Sequence, residues 1–170
     1  MKKIICLFTL LFATYSISQT KLYVHPDGDN YALNTETIAI LPLRTQVKLR
    51  PKELKDFTPE QIVQMGKDEA LDIQKGMHTW FLKRTQRGQL NAKIQSPNQT
   101  NALLRKAGID IHDLDLYTAQ ELGEILSVDC IIMGSFETSK PMSGAASLGL
   151  ALLTGGFGAT SSATLSLIHI

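Results

Sequence analysis

The chain has 170 residues, 44% of them hydrophobic and 19% charged, with 17 Lys and Arg against 16 Asp and Glu. That length fits one domain, and the near-balanced charge gives no support for nucleic-acid binding. Two cysteines, Cys6 and Cys130, are too few for a disulfide framework, so a hydrophobic core must supply the stability.

The amino terminus carries a positive pair, Lys2 and Lys3, then an apolar run from Ile4 to Ala13 broken only by Thr9. Ser16-Ile17-Ser18 supplies small residues at a cleavage site, so residues 1–18 read as a secretory signal peptide. The apolar core is too short to span a bilayer, and no small residues precede Cys6 as a lipid-acceptor cysteine requires. Without residues 1–18 the chain holds 15 basic and 16 acidic side chains, a net charge of −1. The expectation is therefore export.

Residues 19–35 read as an irregular arm, because His25-Pro-Asp-Gly-Asp-Asn30 is dense in turn formers. Asp27 and Asp29 lack the further ligand spacing of a calcium loop. Thr37 to Leu43 is a short apolar run closed by Pro42 and reads as a buried strand. The basic stretch from Arg44 to Asp56 reads as a solvated loop, since Glu53 and Asp56 interrupt it and no aromatic residue lies among its cations.

Thr58-Pro59-Glu60-Gln61 is a helix start with a capping hydroxyl, a first-turn proline and a Gln at the third position. Ile62, Gly66, Ala70, Ile73, Met77, Trp80 and Phe81 then recur on one face, and Gly88 is the stop. At that spacing Trp80 and Phe81 are read as core rather than as a ligand platform. Leu90 to Gln95 alternates like a strand. Ser96-Pro97-Asn98-Gln99 opens a helix that ends near Gly108. Asn98-Gln-Thr100 matches a glycosylation acceptor but overlaps that helix start.

Gly108 to Tyr117 gathers Asp110, His112, Asp113 and Asp115. A metal site needs ligands converging from separate positions with orienting neighbours, so this cluster reads as a polar connector. Thr118-Ala-Gln-Glu121 is another capping box, opening a short helix with Leu122, Ile125 and Leu126. Val128 to Phe136 is the strongest strand, and Cys130 within it reads as a small buried hydrophobe. Alternating strands and helices predict a single α/β domain over 36–170, a layered sheet of about four or more strands covered by helices.

The segments "ETIAILPL" (36–43) and "TAQELGEILSVDCIIMGSF" (118–136) resemble the CsgG/TolB amino-terminal superfamily of bacterial envelope domains. The resemblance rests on the hydrophobic-Pro strand, Glu121-Leu122-Gly123, Val128-Asp129 and Gly134-Ser135, with Ser127 where the family pattern has Gly. It covers about residues 36–140 and implies an exported, non-enzymatic, interaction-based domain, in the periplasm or at the outer membrane of a bacterium. It also implies a further strand and a final helix after the last strand present, so the chain reads as truncated, with an unpaired edge and an uncovered sheet face.

From Pro141 to Ile170 the chain has no Asp, Glu, Lys or Arg. Within it, 142–162 reads as a Gly/Ala/Leu-rich insertion between two strands. Its apolar heart, Ala145 to Leu153, is too short for a transmembrane helix, and Gly155, Gly156 and Gly158 break continuity. The expected contact residues are Leu148, Leu150, Leu152, Leu153 and Phe157, touching an envelope protein partner or the outer-membrane surface. A membrane hairpin of a secretion-channel subunit is the alternative, although its strand alternation breaks at Leu153. Homo-oligomerisation fits either. No cofactor, metal or catalytic set is expected: no nucleophile sits beside a base, and Gly155-Gly156 lacks the Lys-Ser/Thr of a phosphate loop. A cell-wall or polysaccharide-acting enzyme is the remaining reading.

Overall fold

The computed structural model describes residues 23–138 and 161–170. Residues 1–18, read as a signal peptide, lie outside them. The elements in chain order are α1 (Gly28–Asn34), β1 (Thr37–Ile40), β2 (Arg44–Val47), α2 (Pro59–Gln86), β3 (Lys93–Ile94), α3 (Pro97–Lys106), α4 (Ala119–Leu126), β4 (Cys130–Thr138) and β5 (Ser161–His169). Short 3-10 turns at Glu53–Asp56 and Ile111–Leu116 complete the list.

Local signals set the helix starts. Thr58 and Gln61 form a reciprocal capping box on α2, with Thr58 N–H to Gln61 Oε1 at 2.8 Å. Thr118 and Glu121 do the same for α4, and the Ser96 hydroxyl accepts from Gln99 N–H on α3. Each such cap is worth about 1 kcal/mol. Gly88 (φ 68°) and Gly108 (φ 75°) follow α2 and α3 in the left-handed conformation that glycine adopts cheaply.

The sheet is mainly parallel. β1 pairs in parallel with β3 on one side and β4 on the other, and β5 pairs antiparallel along all nine residues of β4. β2 continues β1 beside the second half of β4, from Arg44↔Ser135 to Val47↔Thr138. The register skips at Pro42. Ile40 is opposite Ile132 and Arg44 opposite Ser135, so three residues on this strand face two on β4. Pro42 has no N–H to give the ladder, and the extra residue is a bulge. The bulge reverses the alternation of sides: Leu41 packs in one core and Leu43 in the other. The basic stretch expected to be a solvated loop is therefore a strand in its first four residues. The strand expected over 90–95 is confined to Lys93–Ile94.

Two cores flank the sheet. Beneath α2 lie Ile38, Ile40, Leu43, Ile73, Met77, Cys130, Ile132 and Phe136. Beneath α3 and α4 lie Ala39, Leu41, Leu104, Leu122, Leu126 and Ile131. The result is the layered α/β architecture expected, with five strands in one sheet. Leu41, Leu122 and Ile131 are fully buried, and each such side chain contributes about 1.5–3 kcal/mol by leaving water.

The arm expected to be irregular carries α1 instead. Helix α1 has no buried residue, but Tyr31 stacks on His169 of β5 with ring centroids 5.1 Å apart. That contact spans almost the whole domain in sequence, so composition alone does not reveal it.

Candidate interaction surface

The five expected contact residues, Leu148, Leu150, Leu152, Leu153 and Phe157, lie outside the described residues. Their flanks are well placed. Thr138 and Ser161 face each other at the end of the β4–β5 ladder. The uncharged segment therefore leaves and re-enters the domain at one end of the sheet. β5 begins at Ser161, so the boundary of the insertion moves two residues earlier than expected.

Two glycines bring β5 and its neighbours close. A Cβ on Gly134 would overlap the Thr164 carbonyl oxygen of β5. A Cβ on Gly123 would overlap the Ile170 side chain, which packs over α4. Ile170 N–H also donates to the Asp129 carbonyl at 2.8 Å. Both glycines belong to the motifs that carry the resemblance, and both serve packing.

β5 itself is the exposed margin. Leu165 and Leu167 are 44% and 66% exposed. They pair in register with Gly134 and Ile132, on the α2 side of the sheet but beyond the helix. The alternation Ala163, Leu165, Leu167 is visible in "ATLSLIH", but alternation marks a strand and not how far its apolar side is covered. On the other face Thr164 and Ser166 help line a crevice of about 280 Å³ with an apolar floor of Leu41, Leu114 and Met133. Arg44 and Asp115 form an ion pair at this crevice.

Open α/β sheets bind ligands where strand order reverses, at the carboxyl ends of the strands. Here that point falls between β1 and β4, because β1 lies between β3 and β4 in the sheet. β2 occupies it: the chain stays on β4, with Leu41 N–H donating to Ile132 O at 2.9 Å and Lys48 N–H to Thr138 O at 2.8 Å. The crevice beside Pro42 is what remains of the opening.

The other singled-out residues are accounted for by structure. Asp129 Oδ2 accepts from Glu36 N–H, Thr37 N–H and the Thr37 hydroxyl at 3.1, 2.8 and 2.9 Å, latching the mouth of β4 to β1. The Thr37 hydroxyl, followed by the Thr37 and Glu36 amides, holds the Asp129 carboxyl below its ordinary range. Burial pushes the Cys130 thiol up to about 11, as suits a core side chain. In the acidic connector, Asp110 accepts from His112 N–H and pairs with Lys67, while Asp115 pairs with Arg44. Among the described residues no three His, Cys, Asp or Glu side chains gather as a metal site, and no helix is long and apolar enough to cross a membrane. Trp80 is only half-buried, not core; the Arg84 guanidinium lies 3.3 Å above its ring. Phe81 is half-buried too, packed against the core.

Gln74 is not marked by any local signal in the sequence. It is fully buried, and its side-chain amide donates to Ile40 O at 2.7 Å and exchanges hydrogen bonds with Asn101 on α3. Because β3 is only two residues long, this amide supplies Ile40 O with a partner that the ladder does not.

Compared with known proteins, the chain matches no family model, no curated protein and no solved structure.

Proposed function

We propose that this is an exported, non-enzymatic envelope protein that acts by contact, through the uncharged segment between β4 and β5. The observation that carries the reading is the Thr138↔Ser161 pairing, which presents both ends of that segment at one rim of a packed α/β domain. A stretch that has no charged side chain after Lys140, held at the rim of an exported domain, suits a protein partner or a lipid surface. The signal-peptide pattern at residues 1–18 supports export, and the CsgG/TolB-like motifs support an envelope role. Gly123, Asp129 and Gly134 in those motifs have packing and latching partners, which agrees with a family whose shared residues are structural.

A secretion-channel subunit is the second reading. Adjacent antiparallel flanks are what a membrane hairpin requires, and β4 and β5 supply them. Against it, Arg44–Val47 is built into the sheet, which shortens the 44–58 stretch where a second hairpin would be sought.

The test is fractionation of the protein and of a variant with 143–160 replaced by a short Gly/Ser turn that spares β5. The expected result is an intact chain that sediments with outer-membrane vesicles and is released by alkaline washing, beside a soluble variant. Retention through the alkaline wash would favour the channel. Equal solubility of both proteins would refute contact through the segment.

A further inference from the structure

We propose that the crevice beside Pro42 is a binding site for a small free amino acid with an apolar side chain. The proposal does not depend on export or on the envelope reading. Every residue that lines the crevice is among the described ones. Sheet register builds its polar wall. Arg44 of β2 lies opposite Ser135 of β4, and Ser135 lies opposite Thr164 of β5. Opposite residues share a face, so a guanidinium and two hydroxyls form a row across three strands. Beside that row Leu41, Leu114 and Met133 make the apolar floor. Arg44 reaches this face because of the bulge at Pro42. In unbroken alternation it would share the side of Ile38 and Ile40, beneath α2. A bulge that re-aims a side chain is a recurrent device beside functional sites.

The charges at the rim choose the ligand. Arg44 donates to Asp115 Oδ2 through Nη2, and both side chains are about half exposed. The guanidinium has further donors and the carboxylate further lone pairs. A cation and an anion therefore touch at the mouth of the crevice. An α-amino acid carries the matching arrangement, a carboxylate and an ammonium on one carbon. Its carboxylate meets Arg44 and its ammonium meets Asp115, so all four charges are paired. A ligand with a single charge would set it beside its like: Asp115 repels a lone acid and Arg44 a lone amine. The apolar side chain then leaves water against Leu41, Leu114 and Met133. The volume of about 280 Å³ lies just below the usual range of ligand pockets, about 300–1,000 Å³, so the ligand is small. The chain's own 141–160 stretch has no acidic or basic side chain to offer this rim. The crevice also lies where open α/β sheets take ligands, at the carboxyl ends of β1 and β4.

The test titrates L-leucine into the full chain at millimolar concentration and follows methyl resonances by NMR. Those of Leu41 and Met133 should shift and saturate, while those of Ile73 and Met77, beneath α2, should stay. Isocaproate is leucine without its amine, and isoamylamine is leucine without its carboxylate. Each should bind about tenfold or more weakly than leucine. Asp115→Asn keeps an acceptor for Arg44 but removes the charge that holds the ammonium. It should weaken leucine about tenfold and strengthen isocaproate, an inversion that a structural role would not produce. Arg44→Gln should weaken both. Should either variant fail to fold, the three probes on the unaltered chain decide alone. The absence of a saturable shift at Leu41 and Met133 overturns the proposal, as do equal affinities for the three probes. So does equal loss of leucine and isocaproate in a folded Asp115→Asn. Binding that appears only after 143–160 is replaced by a short turn overturns it too, making that segment the occupant.

Discussion

Ser127 stands where the pattern that this segment resembles has glycine, and the structure gives the position a measurable cost. α4 ends in a Schellman arrangement: Val128 N–H donates to Gly123 O at 3.1 Å and Ser127 N–H to Glu124 O at 3.2 Å. Ser127 sits at the turning position with φ 54° and ψ 56°, the only non-glycine residue at positive φ among the described residues. An L-residue there costs about 1–2 kcal/mol. Ser127→Gly removes that cost but adds chain freedom to the unfolded state, worth about 0.5–1 kcal/mol. The net expectation is a gain of about 0.5–1 kcal/mol. In a domain of this size that raises Tm by about 1–4 °C. Differential scanning calorimetry measures it, with Ser127→Ala as a control that keeps the left-handed cost. A Tm that is unchanged or lower in Ser127→Gly, or raised equally in Ser127→Ala, would refute the reasoning.

Gln74→Leu should destabilise the domain by about 2–3 kcal/mol in urea titrations, because Ile40 O and the Asn101 amide lose their buried partner. Asp129→Ala should cost about 1–2 kcal/mol by the same measurement, through loss of three hydrogen bonds at the mouth of β4. The wild-type Asp129 carboxyl is depressed in the fold, so its stabilisation is complete above its ordinary value of 3.8 and is lost as pH falls towards the lower folded value. Asp129→Asn should flatten that part of the stability–pH curve. The Cys130 thiol should resist alkylation at pH 8 in the native state and react once the chain is unfolded, a contrast that mass spectrometry reads directly.

Much of the fold was legible, for local reasons. Three helix starts announce themselves within four residues, at Thr58, Ser96 and Thr118, and glycines mark the ends of α2 and α3. The apolar runs of β1 and β4 are continuous because both strands are buried on both faces. β2 was not legible, since Arg44–Val47 alternates exposed and half-buried and owes its strand geometry to a partner more than 90 residues away. α1 was hidden for the same reason, its tie being Tyr31 to His169. Gln74 looked like one more polar helix residue, because nothing local says that the next layer presents a bare carbonyl. On the candidate surface, the placement of the uncharged segment between two strands was legible. The exposure of Leu165 and Leu167 depends on where α2 stops covering the sheet, which is a tertiary fact.

The position of β4 bears on how the chain reaches this state. β1 finds only a two-residue partner in β3, and β2 finds none, until residues 130–138 arrive. Loop-closure entropy over some 90 residues must therefore be met before most of the sheet's hydrogen bonds can form. Until then three capped helices can form locally while their apolar faces wait for a sheet. The polypeptide should accordingly fold slowly for its size, in one concerted step triggered by a single strand. During that interval its strand segments would stay unpaired and its helices uncovered, accessible to holding factors.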